Sequence, residues 1–274
     1  MDTGGGADAT AVGTTVAVTT ALDELKSRGS ALLVVGAVPE ETYARVSGRM
    51  LGNESDQQRR RLIVEQPPGR EARTEGIDRW TPEWTQILRF DVDARGAAAD
   101  ASPGRAGTQS GGGRGGPSTD TQTPGGVPLP DDPAGETVPG TPDDHPEAIS
   151  AVEGSIADLG LEVSAAIDRF DAVAGGLAPA ELRVAFDCVT SLLSEYDEAT
   201  VFRFLHVLAT QIRTVDGMGH VRLPKPLDSQ TVRLLSPIFD AVVELRLDGS
   251  DPQQRWHFRD SGIASEWLPI EARA

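Results

Sequence analysis

Short apolar runs alternate along this chain with stretches whose apolar residues recur every three or four positions, the signature of buried strands separated by amphipathic helices. The first run, ALLVV (31–35), follows a short predicted helix, ALDELKSRG (21–29), that stops at Gly29. It turns at Gly36 into PEETYARVSGRML (39–51), where Pro39 at the first position and Glu40 and Glu41 in the first turn favour a helix start. RLIVEQ (61–66) is a second strand closed by Pro67 and Pro68, GREARTEGID (69–78) a short helix, and WTQILRFDV (84–92) a third strand. Regular structure resumes near 151, where Ile156, Leu159, Val163, Ile167 and Phe170 form a helical stripe within ISAVEGSIADLGLEVSAAIDRF. LRVAFD (182–187) and GHVRL (219–223) read as strands on either side of a helix over about 197–215, whose face is Val201, Phe204, Leu205, Leu208, Ile212 and Val215. A helix over about 228–237 leads into DAVVELRL (240–247), which the turn DGSDP joins to QQRWHFRD (253–260) as a hairpin. The whole predicts an α/β fold: a mostly parallel sheet flanked by helices, with a C-terminal β-hairpin.

Composition divides this pattern in two. Residues 1–18 are small and polar, and 95–147 are rich in Gly, Pro, Thr and Asp, with no aromatic residue between Phe90 and Phe170. Neither stretch has the apolar surface to offset ordering entropy, so both are expected to be disordered. The α/β domain is then assembled from 19–94 and 148–274, with 95–147 as an insertion.

Net charge is −17, and only Lys26 and Lys225 are lysines; the other basic residues are arginines. An acid-rich, lysine-poor chain suits molar salt, where the Debye length of about 3 Å screens carboxylate repulsion. No segment is net basic, which removes the usual footprint of direct nucleic-acid binding. The one dense basic run, Arg59-Arg60-Arg61, is expected as a solvated start to its strand. A single cysteine, Cys188, excludes an internal disulfide. With no long apolar run and no signal-like start, the chain is expected to be cytoplasmic, with no membrane contact.

The turn at Gly36 is where a nucleotide-binding α/β fold cradles phosphate, through glycines, a lysine and a hydroxyl in the pattern GxxxxGK[ST]. Counted from Gly36, the last three positions here hold Glu41, Thr42 and Tyr43. Carboxylates at this helix start already satisfy the dipole and would repel a phosphate tail. The four histidines show no helical metal spacing: His206 is expected as a partly buried packing residue, His145 falls in the insertion, and His220 and His257 belong to strands. Cys188 beside Asp187 is expected as a buried packing residue, because an adjacent carboxylate disfavours a thiolate.

LDEL (22–25) with the following glycine and strand, RLIVEQ, LRVAFDCVTSLL and the closing FRFLHVLATQIRTVDGMGHVRLP and IFDAVVELRLDG resemble the RecA/KaiC-like branch of P-loop ATPases, over 21–94 and 151–270. More narrowly, the chain resembles a haloarchaeal family of uncharacterised RecA/KaiC-like proteins with a degenerate phosphate loop. The resemblance places Glu65 at the acidic position after the second strand and Asp187 at the Walker B position, where it would help hold Mg²⁺. Gly36, Thr42 and Asp187 are thus vestigial nucleotide positions, Glu65 the candidate catalytic acid and Asp187 the candidate metal ligand. The expectation is a non-catalytic regulatory or interaction protein with no cofactor, no nucleotide, and a protein partner or a second copy of itself. The rival expectation is a divergent Mg-ATPase that uses Glu65 and Asp187, with Lys26, Lys225, Arg45 or Arg49 in place of the phosphate lysine.

Overall fold

The structure, a computed structural model, describes residues 18–53, 57–67, 71–91 and 145–271. The segments expected to be disordered fall outside these residues at 1–17 and 95–144. Val18 already belongs to helix α1 (18–27), which begins three residues before the expected start.

The described strands form one nine-stranded sheet in the order β4-β3-β2-β5-β6-β1-β7-β8-β9. They are β1 (Ser30–Val35), β2 (Arg60–Glu65), β3 (Thr85–Phe90), β4 (Ile149–Val152), β5 (Leu182–Phe186), β6 (Met218–Leu223), β7 (Ala241–Asp248), β8 (Asp251–Phe258) and β9 (Leu268–Pro269). β4 through β7 in that order are parallel, and the antiparallel β7–β8 hairpin closes the sheet with β9. This is the α/β architecture that the strand–helix alternation predicts.

The helices divide between the two faces. α2 (Glu40–Leu51) and the single turn α3 (Glu71–Thr74) lie on one face with α1. The other carries α4 (Ile156–Ala174), α5 (Val189–Glu195), α6 (Glu198–Thr214) and α7 (Gln230–Leu235) over the largest core, where Leu33, Val64, Phe170, Phe186 and Leu205 are fully buried. α4 starts at a capping box in which Ser155 and Asp158 satisfy each other's backbone N–H groups. α2 starts one residue later than expected, at Glu40, with Pro39 as its N-cap.

Several sequence expectations change. Ile149–Val152 is not the lead-in to a helix but strand β4, paired with β3 from Ile87 to Phe90. It is preceded by a 3₁₀ turn at Pro146–Ala148, and His145 is no linker residue, since its ring stacks on Trp80 at 5.9 Å. His206 is exposed on α6; the buried stripe there is Val201, Leu205, Leu208 and Ile212, with Phe204 and Val215 only partly covered. Arg60 and Arg61 are buried, not solvated. Arg60 pairs with Glu181 at 3.0 Å, and Arg61 donates to the carbonyls of Leu51 (3.2 Å) and Gly52 (3.1 Å), closing the C-terminus of α2. Cys188 is fully buried in the main core, as expected.

Candidate functional site

β2, β5 and β6 lie side by side at the centre of the sheet, and each turns polar residues towards the face covered by α2. Arg61 and Glu65 come from β2, Arg183 from β5 with Asp187 just beyond its end, and His220 and Arg222 from β6. The C-terminal ends of these strands form the edge where open α/β sheets place their ligands.

At that edge the sequence-predicted acids meet three arginines. Arg73, fully buried on α3, donates to Glu65 Oε2 at 2.5 Å and to Asp187 Oδ2 at 3.2 Å. Arg89 lies 3.5 Å from Glu65 Oε1. Arg222 reaches Glu40 at 2.8 Å and Asp187 at 3.5 Å, and its guanidinium covers the Tyr43 ring at 4.2 Å. Three carboxylates thus face three guanidinium groups, and these pairings are charge-balanced. Burial works against the charge on Arg73, yet neighbouring Tyr43, Asp187 and Glu65 outweigh it and hold its pKa above the ordinary arginine value. Burial, then the charge of Asp187, pushes the Tyr43 hydroxyl above the ordinary phenol range.

The turn between β1 and α2 has only four residues, Gly36 to Pro39, before the helix begins. Gly36 has φ +112°, donates to the Lys225 carbonyl at 2.9 Å, and packs so closely on β7 that a Cβ would lie 2.1 Å from the Leu245 carbonyl oxygen. The glycine is therefore explained by its own sheet, with no phosphate needed. Thr42 is buried in the first turn of α2, its N–H on the Pro39 carbonyl at 3.1 Å. Glu40 and Tyr43 line the arginine cluster, whereas Glu41 points to solvent.

Of the four positions the sequence singles out, the structure brings Glu65 and Asp187 to one guanidinium and leaves Gly36 and Thr42 as turn and helix-start residues. Three of the four cations proposed to replace the phosphate lysine, all but Arg45, have other contacts. Lys225 Nζ is 3.1 Å from Thr231, Lys26 pairs with Asp23 at 3.6 Å, and Arg49 donates to the Glu271 carbonyl at 3.0 Å. A general base needs an oxygen within reach of a substrate proton, and Mg²⁺ needs carboxylate oxygens to coordinate. Here Glu65 Oε1, Glu65 Oε2 and Asp187 Oδ2 each face a guanidinium. Among the described residues, no three His, Cys, Asp or Glu side chains gather as a metal site.

His220 sits beneath α2, its Nε2 2.7 Å from the Ser47 hydroxyl. Burial first, then Arg73 and Arg183, push its pKa down to about 3, so the imidazole is neutral in the folded protein. The unfolded chain takes up a proton near pH 6.5 that the folded one refuses until about pH 3. This histidine's contribution to stability is therefore complete above about pH 6.5 and falls as pH drops towards 3. His220→Gln is expected to flatten the fall in denaturation free energy between pH 6.5 and 4; identical pH slopes for both proteins would contradict it.

Residues 29–245 match one family model, DUF7504, described as a family of unknown function. The chain belongs to DUF7504. The match runs from the residue before β1 into β7, so every member of the Arg73 cluster lies within it. No curated protein matches the sequence. Membership in DUF7504 carries no activity to the site, which has to be read from its own geometry.

Sequence reading does not single out Arg73 or Arg222. Arg222 had a legible signal: His220 and Arg222 alternate with Gly219, Val221 and Leu223, so a central strand that should be apolar on both faces carries a polar row.

Proposed function

We propose that this DUF7504 protein is a non-catalytic regulatory or protein-interaction protein on a RecA/KaiC-like scaffold with a degenerate phosphate loop, working in the cytoplasm of a halophilic archaeon. One observation carries the reading. Glu65 and Asp187, the two acids that an ATPase of this plan would use on water and Mg²⁺, are already ion-paired to buried Arg73. Releasing them for catalysis would strand a guanidinium with no exposed surface, at a cost of several kcal/mol. The role left to such a scaffold is association, with a copy of itself or with another protein. No helix among the described residues is long and apolar enough to cross a membrane, which is compatible with that setting.

The test is calorimetric titration of the full chain with Mg-ATP in molar KCl, paired with light scattering in the same buffer. The expected result is no saturable heat at millimolar nucleotide and a mass above that of the monomer or a partner retained from high-salt lysate. Saturable binding that Asp187→Asn abolishes would overturn the non-catalytic reading, and a strict monomer without partners would overturn the association role.

A further inference from the structure

The opposite end of the polar row opens into a second, unrelated space. A cavity of about 260 Å³ lies between α1, α2 and the strands β1, β6 and β8, towards the N-terminal ends of β1 and β6 and away from the Arg73 cluster. Leu22, Leu32, Val46, Met50 and Trp256 give it an apolar wall. Its charged lining residues are Arg183, Lys26 and Arg49, and no Asp or Glu lines it, although the chain as a whole carries −17. A wider cleft of about 640 Å³ shares Arg183 and Lys26 with it.

Arg183 is the informative residue. It is only 8% exposed, yet no carboxylate pairs with it among the described residues. Its two contacts both use Nη1: the Met50 carbonyl at 3.4 Å and the Met218 thioether, a weak acceptor, at 2.8 Å. Nε is buried without a partner. Closing the end of α2 does not account for it, because Arg61 already holds the Leu51 and Gly52 carbonyls at shorter distances. Its register neighbour on β2 is Arg61, so a second cation stands beside it. Burial first, then Arg59 and Arg61, lower its pKa to about 10, which still leaves it charged at neutral pH. A buried cation of this kind lacks its counter-charge.

We infer that this cavity binds a small amphipathic carboxylate, with the anionic head on Arg183 and the aliphatic tail against Leu22, Met50 and Trp256. At roughly 30 Å³ per water-sized volume the space holds about eight or nine such volumes, the scale of an eight-carbon chain. Lys26 and Arg49 also line the space, but they are engaged by Asp23 and by the Glu271 carbonyl, so the anionic head rests on Arg183. The site is independent of the nucleotide question, since none of its lining residues belongs to the Arg73 cluster.

Calorimetric titration of the full chain in molar KCl with octanoate and with octan-1-ol tests it, since the two share a tail and differ in the head. The expected result is saturable one-to-one binding of octanoate, at least about tenfold tighter than the alcohol, as a charge-assisted bond to a buried guanidinium requires. Arg183→Leu is expected to remove that preference while alcohol binding, which also reports that the variant is folded, changes by less than about twofold. Met50→Trp, which fills the tail space, is expected to abolish both. No saturable octanoate binding, equal affinity for acid and alcohol in the parent protein, or a folded Arg183→Leu variant that still prefers octanoate would each overturn the inference. The comparison within the parent protein decides the matter even if a variant does not fold.

Discussion

Arg73→Ala is expected to destabilise the fold by about 3–5 kcal/mol, the cost of leaving buried charge uncompensated. The guanidinium has no exposed surface and serves Glu65 and Asp187, whose side chains are 2% and 5% exposed, so water cannot replace it. The effect should be read by urea denaturation at fixed molar KCl, because burial shields these pairs from the salt that screens surface charge. In a Glu65→Gln/Asp187→Asn background the same Arg73→Ala change should cost less by about 0.5–3 kcal/mol, since most of its penalty lies in the acids it abandons. A loss below about 1 kcal/mol in the parent protein, or an equal loss in both backgrounds, would show that Arg73 does not hold the cluster together. This outcome also bears on function, because a lock worth several kcal/mol is not opened by a weakly bound nucleotide.

Gly36→Ala is the second large effect. A φ of +112° is itself costly for any residue with a Cβ, about 1–3 kcal/mol. The new Cβ would lie 2.1 Å from the Leu245 carbonyl oxygen, a backbone atom of β7 that cannot rotate away. Gly175→Ala supplies the control: φ is +70° and nothing lies within 4 Å, so only the left-handed conformation is taxed, at about 1–2 kcal/mol. Thermal denaturation of both variants should show the Gly36 loss clearly exceeding the Gly175 loss. Equal losses would mean that β7 yields and that the close approach is not what demands glycine at Gly36.

The fold was legible because its signals are local and repeated. ALLVV, RLIVEQ and LRVAFD are apolar over lengths that suit strands, and the stripes at Leu159, Val163, Ile167 and Phe170 or Leu205, Leu208 and Ile212 repeat at helical spacing. Ile149–Val152 escaped because ISAV is short, polar at Ser150 and continuous with a helical stripe; only its pairing to β3 makes it a strand. The candidate site was half legible. Asp187 stands at a strand end, where position draws attention, and Glu65 was marked by the resemblance to P-loop ATPases, but their meaning depends on Arg73, which arrives from a single-turn helix eight residues after Glu65. An arginine on a surface-like turn and one that neutralises two buried acids look the same in sequence. The Arg59-Arg60-Arg61 run illustrates the same limit: charge suggested solvent, while the partners that permit burial, Glu181 and the last carbonyls of α2, are contributed by other elements.

α2 is held by charge at both of its ends. Glu40 at its start engages Arg222, and the carbonyls of Leu51 and Gly52 at its finish accept from Arg61. A slide of the helix along its axis by one turn, about 5.4 Å, would part both sets of contacts at once. It would also carry Ser47 away from His220 in between. α2 is therefore indexed at three points along its length, and its axial position is a fixed property of the fold.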